Sequence, residues 1–302
     1  MSNSDAGGPF AVVDLGTNTF HLLVGRWKNG VLEVVYRERH FVKLAAEGIT
    51  TLGTSSISRA RNAAESLGRA IRLQSPQRAV AYGTAALRTA SNGPTVRQEL
   101  ADLLGLNIQL IDGHREAELI SLGVRAAKPP VDEYLIMDIG GGSVEFIQVQ
   151  EDTIRFRESY PVGAQVLRTR FHTAEPFGKT QSKVLFEFLD ETLQEVRAQF
   201  TDQLVLIGAS GTFDVLGDLY GAELQPGLHE IDPNAVTALY EESTAMTADQ
   251  RLQDPRLPPD RADMIVVALA LIEHFIRAFP GLRIITCAYA LKEGALVELS
   301  RN

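Results

Sequence analysis

Two short segments of this 302-residue chain share one order of residue types. Asp14-Leu15-Gly16-Thr17-Asn18-Thr19 stands between the apolar runs Phe10 to Val13 and Leu22 to Val24. Asp138-Ile139-Gly140-Gly141-Gly142-Ser143 stands between Leu135 to Met137 and Phe146 to Val149, 124 residues further on. A turn of Gly with Ser or Thr presents successive main-chain N–H groups with no side chain in front of them. Such a nest binds phosphate oxygens, and the hydroxyl adds a donor. An aspartate at the end of the preceding strand is placed to hold Mg²⁺, directly or through water, with phosphate supplying further ligands. One such turn is a weak signal. Two at matching positions predict a duplicated domain, with facing turns that clamp phosphate across a cleft. A third turn, Gly208-Ala209-Ser210-Gly211-Thr212, precedes a predicted helix, whose N-terminus favours anions.

Hydrolysis of a phosphoanhydride also needs a carboxylate that orients and deprotonates water. Glu116 and Glu118, just after Asp112-Gly113, are candidates; equally, acids at a helix start are stabilised by the macrodipole without any catalytic role. Glu145, on the strand leaving the second turn, is a further metal or water ligand, with surface placement as the alternative. Arg88 follows a strand-to-loop transition and could neutralise a polyanion, as could Lys43, Arg115 and Lys292; each also reads as a solvated surface charge. Other chemistries fail. Gly178-Lys179-Thr180 lacks the first glycine of a P-loop, because Thr173 stands there. Gly208-Ala209-Ser210-Gly211 is not a nucleophile elbow. The histidines (His21, His40, His114, His172, His229 and His274) have no metal-ligating spacing, and His274 reads as packed within or at the edge of an apolar helix. Cys287, the one cysteine, excludes an intramolecular disulfide and a cysteine-rich zinc site.

The elements that must carry these residues alternate between strand and helix. Strands are predicted over residues 10–13, 22–24, 31–44, 78–82, 108–111, 135–137, 146–149, 204–207 and 283–286. Helices are predicted over 56–73, 94–104, 116–125, 184–200, 262–279 and 290–299, with another beginning near Phe213. Lys128-Pro129-Pro130 interrupts regular structure and is the expected domain boundary, giving domains 1–127 and 128–302. The expected architecture is therefore α/β, in two similar lobes with a cleft between them. At 45% hydrophobic and 22% charged, the chain has an ordinary globular composition. The net charge is −9, split as +4 over residues 1–130 and −13 over 131–302. That balance argues against nucleic acid as a partner. The longest apolar stretch is too short to span a bilayer, and Met1 to Pro9 shows no secretion signal, so the expected location is the cytoplasm.

In order along the chain, six segments resemble the motifs of the exopolyphosphatase / guanosine pentaphosphate phosphatase family. They are Ala11 to Val24, Tyr82 to Asn92, Gly113 to Ile120, Leu135 to Glu145, Ile207 to Thr212 and Ala290 to Leu296. The resemblance runs from about residue 10 to residue 298. It implies two ribonuclease H-like lobes of the actin-like ATPase and sugar kinase superfamily, with an interlobe cleft. It implies Mg²⁺-dependent release of the terminal phosphate of inorganic polyphosphate or the 5′ phosphate of guanosine pentaphosphate. The family's catalytic glutamate lands on Glu116, and its metal- and water-associated carboxylates on Asp138 and Glu145, with Asp14 as the first-lobe equivalent. Its phosphate-binding turns land on Gly16, Thr17, Asn18 and Thr19, on Gly140, Gly141, Gly142 and Ser143, and on Gly208, Ser210, Gly211 and Thr212. Its motif arginine lands on Arg88.

Three departures stand out: Glu118 occupies a frequent Arg position, Cys287-Ala288-Tyr289 replaces a frequent Ser-Asp-Gly, and Lys292 replaces a common Arg. The chain resembles the short form of the family, without the C-terminal HD-type domain, and the pattern is compatible with a homodimer. The expected activity is exopolyphosphatase, with guanosine pentaphosphate 5′-phosphohydrolase as the alternative. More distant readings are an ATP-dependent phosphotransferase of the same superfamily and a non-catalytic polyphosphate or nucleotide sensor.

Overall fold

The computed structural model describes residues 8–28, 31–200 and 203–301. Most of Met1 to Pro9, where the absence of a secretion signal was read, lies outside the described residues. The elements run β1 (Phe10–Leu15), β2 (Thr19–Lys28), β3 (Val31–Phe41), α1 (Thr54–Gln74), β4 (Arg78–Gly83), α2 (Ala85–Thr89), α3 (Gly93–Leu104), β5 (Ile108–Leu110) and α4 (Gly113–Ala126). Next come β6 (Glu133–Ile139), β7 (Val144–Gln150), β8 (Thr153–Tyr160), α5 (Ala164–Phe171), α6 (Lys179–Thr192), α7 (Gln194–Arg197), β9 (Val205–Ala209) and α8 (Gly211–Tyr220). The chain continues through β10 (Ala222–Gln225), β11 (Leu228–Ile231), α9 (Pro233–Ala245), α10 (Ala248–Gln253), α11 (Ile265–Ala278), β12 (Arg283–Cys287) and α12 (Leu291–Arg301).

The repeat seen in the motifs is a repeat of whole sheets. The first sheet has the order β3-β2-β1-β4-β5, antiparallel from β3 to β1 and parallel from β1 to β5. The second has the order β10-β11-β12-β9-β6-β7-β8. Within it, β8-β7-β6-β9-β12 repeats the first sheet strand for strand, with the same directions. Asp14 on β1 and Asp138 on β6 thus occupy equivalent places on equivalent central strands. Central strands are covered on both faces, and this explains why they read as unbroken apolar runs; Leu135, Ile136 and Met137 are fully buried.

Contacts divide the chain into two units, residues 1–126 with 289–302, and residues 127–288. Each has its own apolar core. The expected second domain, 128–302, differs from this at its end, because α12 packs with the first unit. Two glycines explain the packing. A Cβ on Gly294 would stand 1.8 Å from Leu119 O, and one on Gly123 would stand 2.0 Å from Ala290 O. Bare backbone on both helices therefore lets α12 cross α4 at a distance that no side chain permits. The helix expected over 184–200 is instead α6 and the short α7, separated at Leu193.

Helix α11 is buried at every position from Ile265 to Phe275, as expected of a helix that is apolar all round. His274 on it is 3% exposed. Burial holds its pKa down at about 4, against the attraction of Asp190 and with Arg197 and Arg277 adding to the depression. The unfolded chain takes up this proton near pH 6.5 and the folded one only near 4. Stability is therefore full above pH 6.5 and is lost as pH falls through that window, by about 3 kcal/mol. Denaturant melts of the wild type and His274→Phe between pH 7 and 4 should show a shallower acid loss in the variant. Parallel curves would count against His274 as the source. Among the described residues, no helix is long and apolar enough to cross a membrane.

Candidate phosphate site

The two repeated turns have one hydrogen-bonded frame. Gly16 N–H donates to Thr19 O at 3.1 Å, and Gly140 N–H donates to Ser143 O at 3.0 Å. A Cβ on either glycine would stand 2.9 Å from that same carbonyl. The segments that follow β3 and β8 hold the carbonyl side of each turn. Val42 and Lys43 N–H both donate to Asn18 O at 2.9 Å, and Leu44 N–H donates to Thr17 O at 2.7 Å. In the second unit Gly163, Ala164 and Gln165 N–H donate to the carbonyls of Gly142, Gly140 and Gly141 at 3.3, 2.9 and 3.0 Å. In a trans peptide the N–H points opposite to the C=O. Fixing the three carbonyls of residues 140–142 therefore aims the N–H groups of Gly141, Gly142 and Ser143 the other way, as a nest requires. Among the described residues, Gly141 and Gly142 N–H donate to no acceptor.

Gly163 is what lets the supporting segment come so close. A Cβ there would stand 2.5 Å from Gly141 C and O and from Ser143 N. Gly163→Ala is expected to open the turn and lower kcat/KM for phosphate release by roughly tenfold or more, since overpacking typically costs ~1–3 kcal/mol. The assay belongs at a temperature where a melt shows the variant folded. Unchanged kcat/KM would uncouple the turn's geometry from anion binding.

Asp138 and Glu145 are cross-strand partners on β6 and β7, so their side chains share a face with Cβ atoms roughly 5 Å apart. Both are buried. Glu145 Oε1 accepts hydrogen bonds from Ser143 Oγ and Ser159 Oγ, each at 2.7 Å. Two hydroxyls on one oxygen fix the orientation of the carboxylate. The Ser143 hydroxyl, expected to meet phosphate, thus serves Glu145, while its main chain belongs to the nest. In the first unit Asp14 is paired with His21, so the second carboxylate has no counterpart there.

The third turn lies beside the second. Ala209 pairs with Asp138, and Ser210 Oγ donates to Ile139 O at 3.0 Å. Ser210 has φ 75° and ψ 178°, a region almost confined to glycine, and such strain persists only where the surroundings enforce it. It ends β9 and opens α8, whose first-turn N–H groups, at Gly211 and Thr212, form an anion-favouring end. Gly208 is placed differently from its expected role: it lies inside β9, where a Cβ would stand 2.0 Å from the Phe213 ring. Its smallness has a packing reason.

Arg261 was not read from the sequence. A Cβ on Gly211 would stand 1.9 Å from Arg261 Nη2, so this guanidinium covers the start of α8. Asp260 Oδ2 stands 3.3 Å from its Nε. Ser159 and Gly163 were also missed. None of the three lies in a motif, and the only sequence signal for Arg261 is a cation just ahead of a long apolar helix.

In the first unit, Asp112 starts α4. Its Oδ1 accepts Arg115 N–H at 2.8 Å, and this bond leads the causes that hold its carboxyl below the usual range. Glu116 occupies the first turn, with its N–H on Asp112 O at 2.9 Å. Arg88 Nη1 donates to Ile111 O, which ties α2 to the loop that feeds α4. Arg115 is bound to Glu118 at 3.2 Å and to Glu298, so its charge is committed within the unit. Lys292 Nζ stands 3.5 Å from Glu293 Oε1, and Lys43 contributes its backbone to the first turn.

Mg²⁺ is the expected cofactor. Among the described residues, no group of three or more His, Cys, Asp or Glu is arranged to hold a metal. An all-protein cage is not what Mg²⁺ needs, since it is commonly held by one or two carboxylates with phosphate and water completing the shell. The Asp138–Glu145 pair beside main-chain anion donors fits that chemistry.

The model of the Ppx/GppA phosphatase family matches residues 23–302. The chain is similar to a crystal structure of an exopolyphosphatase from Cytophaga hutchinsonii, with 31% identity and a TM-score of 0.89, over 97% of this chain and 98% of that one. A Haemophilus influenzae protein provisionally named an exopolyphosphatase is 28% identical over 97% of this chain and 91% of its own length. A guanosine-5′-triphosphate,3′-diphosphate pyrophosphatase of Vibrio parahaemolyticus is 27% identical over 99% of this chain, which spans 61% of that protein's length.

Proposed function

This chain belongs to the Ppx/GppA phosphatase family, and from that membership we propose that it is an exopolyphosphatase, hydrolysing the terminal phosphoanhydride of inorganic polyphosphate. The observation that carries the reading is the Gly140–Ser143 frame, with N–H donors aimed away from its tied carbonyls and a pair of carboxylates on the adjoining strands. In this reading the amides of Gly141, Gly142 and Ser143, the start of α8 and the Gly16–Thr19 turn hold phosphate oxygens, with Arg88 contributing positive charge. Glu116 takes a proton from water as its oxygen bonds to the terminal phosphorus. The bridging oxygen departs with the shortened chain. Asp138 and Glu145 of the second unit would hold Mg²⁺, which supplies neutralisation of the charge that develops on the phosphoryl oxygens, and Asp14 is the equivalent candidate ligand of the first unit.

A second reading is supported by the Vibrio relative, which aligns along nearly the whole chain: the same donors would take the 5′ end of guanosine pentaphosphate. A phosphate-release assay on long-chain polyphosphate, tripolyphosphate and guanosine pentaphosphate separates the two. The highest kcat/KM is expected on long-chain polyphosphate. A preference for the nucleotide would replace the first reading by the second, and release from none of the three would refute both.

A further inference from the structure

The two turns are backed by different means. In the second unit the supporting residues Gly163 to Gln165 lead straight into α5, for which Gly163 is the N-cap. Gly163 O accepts Leu167 N–H at 3.0 Å, so the helix's own hydrogen bonds fix the backbone that holds the turn. In the first unit, residues 42–44 belong to no helix or strand. Their carbonyls need partners from elsewhere.

Arg59, in the second turn of α1, provides them. Its Nε donates to Val42 O at 2.7 Å and its Nη2 to Lys43 O at 3.2 Å, where Ala46 N–H also donates. Val42 O and Lys43 N–H are the two ends of one peptide unit, and Lys43 O and Leu44 N–H those of the next. In a trans peptide these ends point opposite ways. The guanidinium thus holds the carbonyl ends of the two units whose N–H ends hold Asn18 O and Thr17 O. Lys43, between them, has φ 46°, a left-handed conformation that a residue with a side chain keeps only where its surroundings enforce it.

The guanidinium is itself oriented. Nη1 donates to Ser55 Oγ at 2.8 Å, and Nη2 to Ser56 Oγ at 3.1 Å. Glu47 Oε1 in turn accepts Ser56 N–H at 3.1 Å and the Ser56 hydroxyl at 2.9 Å. It caps α1 in place of Gly53, which has no side chain to do so. We infer that Arg59 is a positioning residue for the first turn: its planar fork sets the backbone that aims the Asn18 and Thr19 N–H groups away from the tied carbonyls and toward phosphate. This inference rests on the reading of that turn as a phosphate site. Val42 and Leu44 are 1% and 0% exposed. Their side chains keep the segment in the core, so removing the fork frees its peptide planes to rotate without unfolding the unit.

Arg59→Met removes the donors and keeps the aliphatic stem. In the full chain, amide hydrogen exchange at Lys43 and Leu44 is expected to quicken by about tenfold, the loss of one good polar contact. KM for long-chain polyphosphate should rise by about tenfold with kcat within about twofold, the pattern of lost uniform binding. Arg61→Met, on the same helix at a side chain paired with Glu99, should change neither. Arg59→Lys keeps the charge without the fork and should move both readouts in the same direction as Arg59→Met. It also keeps the test valid if Arg59→Met does not fold. Unchanged exchange at Lys43 and Leu44 would overturn the inference whatever the substrate. So would a wild-type KM in Arg59→Met, or one in Arg59→Lys, which would make Arg59 a plain charge. Exchange is read without substrate, so a wild type that releases no phosphate from polyphosphate defeats the functional reading, and exchange alone then decides whether Arg59 holds the turn.

Discussion

Glu116→Ala is expected to lower phosphate release by ~10²–10⁴-fold, the usual worth of a positioned general base, in a chain that stays folded and still binds polyphosphate. The structural reason for expecting an intact fold is that α4 is started by other groups. Asp112 Oδ1 accepts Arg115 N–H, and Asp112 O accepts Glu116 N–H through the main chain. Neither bond uses the Glu116 side chain, and alanine is the best helix former available. The amides proposed to hold phosphate likewise belong to backbone that the substitution does not touch. Phosphate release, polyphosphate binding and a thermal melt on the same preparation give the three readouts. Retention of more than about a tenth of the activity would remove Glu116 from the role of base. Loss of binding together with turnover would instead assign it to holding the substrate.

The second large effect is on stability. In Gly294→Ala the new Cβ meets Leu119 O at 1.8 Å, with Leu119 C and Gly123 N both at 2.8 Å. All three atoms are backbone, so no rotamer change relieves the clash and α12 must move away from α4. Forced overpacking of this kind is expected to cost about 3 kcal/mol or more, a fall in Tm of roughly 6 °C or more. Since Glu116 rides on the first turn of α4, activity should fall too. Leu73→Ala, at a side chain 82% exposed, is the matched control and should change stability by about 0.5 kcal/mol or less. A Gly294→Ala variant that melts within about 2 °C of the wild type would mean that the two helices have room to separate without loss.

Strands and turns were legible in the sequence wherever their signal was local. The run Leu135 to Met137 and the turn Gly140 to Ser143 announce themselves by residue type alone. Strand β8 was overlooked although Ile154, Phe156 and Tyr160 alternate with polar residues, because its Arg and Glu positions dilute the apolar signal of a sheet-edge strand. Helices α2, α5, α9 and α10 and strands β10 and β11 also have no counterpart in the sequence reading, which places Arg88 in a loop where the structure has α2. All but α9 are eight residues or shorter, too short to show a period, whereas α9 does carry Val236, Leu239 and Tyr240 at helical spacing. The break at Leu193 has no Gly or Pro to mark it.

By itself the sequence determined that two glycine-rich turns exist, that each follows an aspartate on a buried strand, and that the pattern is duplicated. Those properties depend on neighbours within a few residues, where backbone freedom and hydrophobic period speak directly. Only the tertiary structure decided that Ser159 orients Glu145, that Gly163 backs the second turn, that Arg261 covers the start of α8 and that α12 packs with the first unit. Each of these joins residues distant in the chain, from 14 positions for Ser159 and Glu145 to 271 for Gly25 and Leu296. Such contacts follow from sheet register and close backbone approach, and no local period in the chain specifies which distant partner a side chain will meet.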